Sequence, residues 1–286
     1  MPQERDLTME FYTHEKITPS TTKITNMGDV FCFLVEGNDS AMLIDAGVGA
    51  GNLRDYVEKL TSKPVSVLLT HGHCDHAGAA GLFETVYLNQ ADWELASRHA
   101  GIEMRKSYLS FILEEAGREL TDESMCPDRT LGYLPLTAGQ IFRLGGITLE
   151  AVAVPGHTQG MTCVLNREEG SILFGDACNP NVFLWGEESS SVEEYLETLE
   201  NLKRMEDRYD TVYLSHAVTS VDKSILDGVM EVCRQIISGK DDGIPYSFMD
   251  YKGLKLAKNV TVPGIRTDGG LGNIVYNPAN IFRKKN

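Results

Sequence analysis

The stretch His71-Gly72-His73-Cys74-Asp75-His76 places three imidazoles and one carboxylate within six positions. It follows directly on the apolar run 65–70, whose valine, leucine and threonine residues predict a short buried strand. The six residues are therefore expected in the loop that leaves the C-terminal end of this strand. Neutral imidazole and carboxylate are ligands that divalent zinc, iron and manganese accept. The stretch predicts metal binding, and three more ligands are needed to complete two sites.

Three further residues of ligand type each follow on an apolar strand pattern elsewhere in the chain: His157, Asp176 and His216. If these strands end at one edge of a sandwich, seven candidate ligands gather there. A single histidine in such a position is more often a core or surface residue, but the context shared by the whole set favours a metal centre. Five of the seven histidines belong to the set. Of the other two, His99 stands on a helical segment among charged residues and is expected to be solvated.

Hydrophobic periodicity outside this motif predicts strand hairpins and helices in two halves of the chain. The predicted hairpins join residues 30–35 to 41–45, 140–144 to 147–154, and 162–165 to 171–174, and the predicted helices cover about 53–60, 191–205 and 224–239. Ser191 and Glu194 stand in capping-box spacing at the start of the second helix. Hairpin-rich halves that each finish with helices predict an α+β fold with two sheets face to face and helices outside. Residues 1–286 are expected to form one domain, because the sequence has no internal repeat and no low-complexity linker.

Residues 90–139 interrupt the strand-rich pattern with a helical stretch followed by an irregular one. We expect a helical insertion over one rim, acting as a lid or substrate wall, with a helical layer packed on the sheet as the alternative. Tyr133, in its irregular part, is a candidate donor to an oxyanion. Asn179, Phe183 and Trp185 follow Asp176 in a loop and are candidates to line the pocket mouth, although a tryptophan in a loop is as often a packing residue.

Composition limits the class of protein and of partner. The 286 residues carry a formal charge of −15 and are 42% hydrophobic, which favours a small-molecule substrate over nucleic acid. No apolar run reaches the length of a membrane span, and the charged residues 1–6 do not resemble a secretory signal, so a cytoplasmic location is expected. The six cysteines form no CxxC pair and are expected to be reduced thiols, with Cys74 a spacer within the motif. A homodimer is a further expectation that no motif specifies.

The ligand motifs resemble those of the metallo-β-lactamase superfamily, over roughly residues 30–220. The matching motifs are His71-Gly72-His73-Cys74-Asp75-His76 as HxHxDH, Pro155-Gly156-His157-Thr158, Phe174-Gly175-Asp176 and Leu214-Ser215-His216, together with Asp45-Ala46-Gly47 as the Asp-x-Gly that supports the metal loop. The resemblance is specific to the superfamily but not to one reaction. It implies a four-layer αββα sandwich with the metal site at one edge of the sheets.

The resemblance also implies a role for each ligand. His71, His73 and His157 would bind a first metal ion, Asp75, His76 and His216 a second, and Asp176 would bridge the two. Two divalent ions about 3.5–4 Å apart lower the pKa of a shared water towards about 7. The implied function is a binuclear hydrolase in which a metal-bridging hydroxide, oriented by the catalytic Asp75, attacks a small ester-type substrate such as a thioester or lactone. Zinc suits these ligands best, and iron or manganese remains an alternative.

Asp176 stands where many antibiotic-resistance members of the superfamily have a cysteine ligand, which points to the glyoxalase II and lactonase-like branch. Two other functions of this scaffold stay open. One is an iron-dependent redox enzyme of the persulfide dioxygenase or diiron type, although the diiron type typically has glutamate where this chain has His73. The other is a phosphodiesterase or nuclease, which the acidic composition disfavours.

Overall fold

The computed structural model describes residues 11–116, 124–262 and 264–284. Its strands are β1 (Tyr12–Lys16), β2 (Thr21–Asn26), β3 (Phe31–Glu36), β4 (Ala41–Ile44), β5 (Val65–Leu68), β6 (Val86–Leu88), β7 (Leu134–Pro135), β8 (Ile141–Arg143), β9 (Thr148–Ala153), β10 (Thr162–Asn166), β11 (Ser171–Gly175), β12 (Val182–Leu184), β13 (Thr211–Leu214), β14 (Ser220–Val221), β15 (Ile244–Phe248), β16 (Tyr251–Leu256), β17 (Val260–Val262), β18 (Ile265–Arg266) and β19 (Ile274–Tyr276). Its helices are α1 (Leu53–Leu60), α2 (Cys74–Ala77), α3 (Trp93–His99), α4 (Ile102–Ala116), α5 (Val192–Lys203) and α6 (Ile225–Ile237), with short 3₁₀ turns at Ala80–Leu82, Gln90–Asp92 and Glu206–Arg208.

Two large sheets are built from successive parts of the chain. The first contains β1 to β7 in sequence order, with antiparallel pairs up to β4 and parallel pairs from β4 onwards. The second has the order β14-β13-β11-β10-β9-β8, and β12, β19, β16 and β15 form a separate four-stranded sheet. The three predicted hairpins are confirmed as the antiparallel pairs β3–β4, β8–β9 and β10–β11.

Three layers of apolar contact define the sandwich. Between the two large sheets, Phe33 and Ile44 of the first belong to one buried cluster with Leu149 and Val164 of the second. On the outer face of the first sheet a second cluster includes residues of α1, and on the outer face of the second sheet a third cluster includes residues of α5 and α6. This helix–sheet–sheet–helix order confirms the predicted αββα fold.

The predicted capping box begins α5 as the sequence indicates. The Ser191 side chain accepts a hydrogen bond from the Glu194 backbone N–H, and the Glu194 carboxylate accepts one from the Ser191 backbone N–H. These bonds satisfy two backbone donors that a helix start otherwise leaves unpaired. The helix buries Tyr195 and Leu199 against the second sheet.

Several strands lie where the sequence analysis predicts none. β1 exposes four of its five residues, so its polar sequence carries no strand periodicity, and it forms the edge of the first sheet. β15 to β18 are short strands in the glycine- and proline-containing tail, for which the sequence indicates only the strand near residues 273–276. Tertiary pairing, rather than local pattern, makes these segments extended.

The insertion at 90–139 is helical over α3 and α4, as predicted, and residues 117–123 of it lie outside the described residues. Arg105 of α4 is buried and donates to the Cys126 carbonyl at 2.9 Å and to the Asp128 carboxylate at 2.6 Å. This ties the helix to the irregular segment that follows it. Within the described ranges, no helix has the length and apolarity that crossing a bilayer requires.

Candidate metal centre

The seven predicted ligands meet at one edge of the sandwich. His71 and His73 follow β5, whereas Asp75 and His76 lie on the short helix α2, so the hexapeptide is half loop and half helix rather than all loop. His157, Asp176 and His216 follow β9, β11 and β13. The ligand atoms form three groups with all members within 4.8 Å of one another: His71, His73 and His157; His71, His76 and Asp176; and Asp75, His76 and His216. The sequence prediction that these strand ends converge is confirmed.

In the first group, three imidazole nitrogens that carry no proton, here called bare nitrogens, face one point. Thr70 Oγ1 donates to the Asp45 carboxylate at 2.9 Å and so accepts from His71 Nδ1 at 3.0 Å, which leaves His71 Nε2 without a proton. His157 Nδ1 donates to the Phe183 carbonyl at 2.7 Å, which leaves its Nε2 bare. His73 Nε2 faces the Glu188 carboxylate at 3.4 Å, which leaves its Nδ1 bare.

These bare nitrogens lie very close together. His73 Nδ1 is 3.1 Å from His71 Nε2 and 2.9 Å from His157 Nε2. Facing lone pairs at this distance repel one another, whereas a shared cation turns them into ligands. Tetrahedral zinc at about 2.0–2.1 Å from each nitrogen separates neighbouring ligands by roughly 3.4 Å. The donor set and its spacing therefore fit a divalent metal ion.

The second group combines imidazole with carboxylate. His76 Nε2 lies 3.1 Å from His216 Nε2 and 3.7 Å from Asp75 Oδ2. Asp176 Oδ2 lies 3.5 Å from His76 Nε2, 3.4 Å from His216 Nε2 and 3.7 Å from His157 Nε2. Asp176 thus stands between the two groups, as its predicted bridging role requires.

Asp45 fixes the orientation of His76. It is fully buried and its Oδ2 accepts a hydrogen bond from His76 Nδ1 at 2.9 Å, which directs His76 Nε2 to the centre. Asp45 and Gly47 have φ values of 62° and 58°, so the chain turns back sharply after β4. A Cβ at Gly47 would lie 1.9 Å from Asn26 Oδ1, which explains why glycine ends the Asp45-Ala46-Gly47 motif.

Asp92 connects the two ligand loops and has no counterpart in the sequence analysis. Its buried carboxylate accepts from the Gly72 N–H at 3.0 Å, the Thr158 hydroxyl at 2.6 Å and the Gly160 N–H at 2.7 Å. Gly72 lies between two ligands and Thr158 follows a third, so one side chain sets the spacing of both loops. Burial raises the pKa of this carboxyl, while the three hydrogen bonds oppose the rise.

The electrostatic environment differs between the two groups. Burial, with the His73 ring next, lowers the pKa of His157 to about 4. Burial and the neighbouring imidazoles also lower the pKa of His71 well below its ordinary value. At His76 and His216 burial also acts to lower the pKa, but the surrounding carboxylates, led by Asp75 at His76 and Asp176 at His216, outweigh it and raise it. His71 and His157 are therefore neutral imidazoles at pH 7, whereas the carboxylates of Asp75 and Asp176 favour the protonated form of His76 and His216.

A cavity of about 530 Å³ opens over the centre. Asn179, Phe183 and Trp185 line it, as predicted from their position after Asp176. The structure does not bring Tyr133 to this cavity: its ring packs on the apolar cluster of the first sheet, 5.1 Å from the Arg129 guanidinium. Its selection as an oxyanion donor rested on its place in an irregular segment, which does not decide on which side of the sheet a residue lies.

Three cavity residues escaped the sequence analysis. Tyr108 of α4 donates to Asp75 Oδ2 at 3.0 Å. Glu188 faces His73; burial acts to raise the pKa of its carboxyl, but the hydrogen bond with this ring, the electrostatic attraction to it and further smaller interactions together lower the pKa to about 2. His99 is not solvated as expected, because its ring lies 5.1 Å from that of His73 at the cavity wall. No local signal separates these residues from ordinary helix and loop residues. His99 and Tyr108 reach the cavity through the packing of α3 and α4, and Glu188 reaches it from the loop between β12 and α5.

Comparison with known proteins agrees with this geometry. The family model described as "Metallo-beta-lactamase superfamily" matches residues 25–216. The fold is similar to a metallo-beta-lactamase from Pontibacter korlensis, with a TM-score of 0.58 and 16% identity over 78% of this chain and 99% of that one. It is also similar to the metallo-beta-lactamase IND-7, with a TM-score of 0.55 and 16% identity over 78% and 98% of the two chains. The chain belongs to the metallo-β-lactamase superfamily, which confirms the resemblance found in its motifs.

Two curated relatives bear on the reaction. The sequence is 25% identical to the acyl-coenzyme A thioesterase MBLAC2 of Gallus gallus, over 62% of this chain and 67% of the relative. It is 29% identical to the hydroxyacylglutathione hydrolase GloC of Haemophilus influenzae, over 51% of this chain and 65% of the relative. Both names describe hydrolases, in agreement with the class predicted from the sequence.

Proposed function

We propose that this hydrolase uses two divalent metal ions, zinc in the first instance, to cleave a small ester-type substrate such as a thioester or lactone. The observation that carries the proposal is the convergence of bare nitrogens and carboxylates in two groups joined by Asp176. His71, His73 and His157 would hold the first ion, and Asp75, His76 and His216 the second. The relation to thioesterase and hydroxyacylglutathione hydrolase relatives supports the ester class.

When bound, the two ions supply a Lewis acid for the carbonyl oxygen and lower the pKa of water towards about 7. The protein's own residues orient the attacking water and accept its proton. Asp75 has one carboxylate oxygen 3.5 Å from His216 Nε2 and accepts the Tyr108 hydroxyl on the same oxygen. Held in this way, Asp75 orients an attacking water and accepts its proton. Attack of the water oxygen on the carbonyl carbon forms the new C–O bond and breaks the ester or thioester bond. The proton accepted by Asp75 then passes to the leaving oxygen or sulfur, and the products are a carboxylic acid and an alcohol or thiol.

Metal analysis of the purified protein, followed by chelation and reloading, tests the proposal. We expect about two ions per chain and hydrolysis of a neutral thioester that is lost on chelation and returns with zinc. Asp75→Asn should lower kcat by about 10²–10⁴-fold, as expected for loss of a general base. Fewer than one ion per chain, together with no metal-restored hydrolysis, would refute the proposal.

The same preparation discriminates the other reactions of this scaffold. Iron-loaded protein that consumes oxygen, but leaves thioesters and lactones intact, would establish the redox function instead. Cleavage of bis(p-nitrophenyl) phosphate without thioester or lactone hydrolysis would establish the phosphodiesterase.

A further inference from the structure

One wall of the cavity is aromatic and comes largely from the C-terminal part of the chain. We define the aromatic wall as Phe183 and Trp185, which follow Asp176, and Phe248 and Tyr251, which belong to the β15–β16 hairpin. All four line the cavity. Phe248 lies 5.2 Å from Phe183 and 6.1 Å from Trp185, and Trp185 lies 4.1 Å from Tyr251, measured between ring centroids. The rings therefore form one continuous apolar surface next to the metal centre.

The β15–β16 hairpin places two of these rings side by side. Phe248 and Tyr251 are cross-strand partners on either side of a two-residue turn, so their side chains emerge on the same face of the hairpin. Met249 in the turn has a φ of 48°, a left-handed conformation that is uncommon for a residue other than glycine. Tyr251 is 49% exposed, and Met104, which also lines the cavity, is 37% exposed. The apolar surface thus continues from the cavity to its rim.

The charged residues of the cavity are all acidic. Besides the ligands Asp75 and Asp176, Glu188 and Asp250 line it, and none of the described lining residues is a lysine or arginine. Phosphate and carboxylate groups on ligands are usually bound by such cations. In the part of the cavity that the structure describes, nothing of this kind would pair with the phosphates of coenzyme A or the carboxylates of glutathione.

We infer that the aromatic wall binds an uncharged, apolar acyl group, and that the site takes neutral esters, thioesters or lactones without recognising a charged leaving group. This inference rests on the proposed function and narrows its substrate class. A cavity of about 530 Å³ is within the range of small-molecule sites. The wall supplies the apolar area from which affinity would come.

A matched pair of thioesters tests the leaving-group half of the inference. Octanoyl-coenzyme A and octanoyl-N-acetylcysteamine share the acyl chain and the reacting bond, but only the first has a charged leaving group, which carries the phosphates, the nucleoside and the rest of the pantetheine arm. With zinc-loaded protein we expect the neutral thioester to have an equal or higher kcat/KM, because the chain carries a net charge of −15 that repels the phosphates at low salt. A clear preference for the coenzyme A thioester would overturn this half.

An acyl-length series tests the wall itself. From acetyl to octanoyl N-acetylcysteamine thioesters, kcat/KM should rise by about threefold per methylene while the chain is being buried. Phe248→Ala and Tyr251→Ala should each lower kcat/KM for the octanoyl thioester about tenfold, mainly through KM, and change the acetyl thioester little. Phe282→Ala is the matched control, because Phe282 is 56% exposed and does not line the cavity. A kcat/KM that does not change with acyl length in the wild type would refute binding of the acyl chain by the aromatic wall. So would equal losses of kcat/KM for the acetyl and octanoyl thioesters in the wall variants.

A binding measurement separates failure of this inference from failure of the proposed function. The chain has two tryptophans, so Trp93→Phe leaves Trp185 as the sole indole fluorophore. Titration of this variant with the neutral ligand octanamide should change the Trp185 emission, and Phe248→Ala in the same background should weaken the binding. An emission that octanamide leaves unchanged would overturn the inference even where hydrolysis is found. Absence of all hydrolysis would refute the proposed function. The titration would still show whether the aromatic wall binds an apolar, uncharged ligand.

Discussion

At the residue scale, Tyr108 is the cavity residue whose effect on the reaction is easiest to isolate. It donates to Asp75 at 3.0 Å from α4, and a hydrogen bond to a charged group is worth about 1.5–3 kcal/mol. Tyr108→Phe keeps the ring, so we expect kcat to fall at least about tenfold with metal content unchanged. Steady-state kinetics with metal analysis provide the measurement, and Tyr133→Phe, outside the cavity, is the matched control. Equal kcat values for both variants would count against a positioning role for Tyr108.

Asp45 offers a second test, directed at metal affinity rather than at the reaction. Asp45→Asn keeps the size and tolerates the φ of 62°, but removes the charge that accepts from His76 and Thr70. Loss of such a partner typically weakens metal affinity by about 10–100-fold. We expect the proposed second ion to be lost first when the variant is titrated against a chelator. Unchanged affinity for both ions would show that His76 needs no such support.

The sequence predicted that the candidate ligands converge, and three of the cavity-lining residues, but it did not identify the roles of Tyr108 and His99, for a physical reason. A ligand such as His157 or His216 follows its own strand, so the local pattern places it at the edge of a sheet. Tyr108 and His99 reach the centre only because α3 and α4 pack across that edge, and a helix pattern does not fix this packing. Tyr133 shows the converse error, since an irregular segment contains no information about which face it covers.

At the element scale, the start of α5 gives a prediction with a built-in control. Ser191 caps this helix through its side chain, whereas Ser224, at the same position of α6, makes no such hydrogen bond. Ser191→Ala should therefore lower the free energy of unfolding by about 1 kcal/mol, and Ser224→Ala by clearly less. Urea denaturation followed by far-ultraviolet circular dichroism measures both. Equal losses would mean that the capping bonds of Ser191 contribute nothing specific.

The two ligand groups should also respond differently to acid. The pKa of His157 is lowered to about 4, so between pH 8 and 5 no proton competes with a metal ion for the His157 ring. The pKa values of His76 and His216 are raised by their carboxylate neighbours, so protons occupy these rings as the pH falls and must be displaced by metal.

We expect stepwise acid release, with the ion of the Asp75, His76 and His216 group lost first. Metal content after dialysis at a series of pH values from 8 to 5 measures it, with His216→Gln marking the level of a half-loaded centre. Simultaneous release of both ions, or earlier loss from the His71 group, would contradict the claim that the raised pKa values of His76 and His216 weaken metal binding first.

At the scale of the whole molecule, the centre links the two sheets. The Phe31 N–H donates to the Ser215 carbonyl and the Thr162 N–H to the Thr70 carbonyl, each at 2.8 Å, so backbone bonds join the sheets beside the ligands. Metal binding to the folded state alone stabilises it by about 2.7 kcal/mol at a free concentration of 100 Kd. For a chain of this size that amounts to a rise in Tm of roughly 4–5 °C. Calorimetry with and without chelator measures the shift, and a Tm independent of metal would contradict it.

The overall architecture was predictable because each half of the chain contains strong hairpin and helix patterns. The C-terminal sheet was not, since β15 to β18 are short and carry weak periodicity. β15 and β16 pair with each other and are joined to β12 through β19, whereas β17 and β18 form a separate two-stranded sheet. Because β12 is distant in sequence from β15, β16 and β19, local sequence patterns do not predict the cavity wall that this sheet provides.

The division of ligands between the two sheets has a consequence for synthesis. A ribosome releases β1 to β7 with the His71 to His76 ligands before it makes the second sheet, and His216 is the last of the seven to emerge. A nascent chain therefore exposes a partial chelating site, able to take up an ion in an incomplete environment, before Asp176 and His216 exist to complete it. If the proposed ions bind, the complete ligand set is therefore available only after the second sheet has been synthesised and packs against the first.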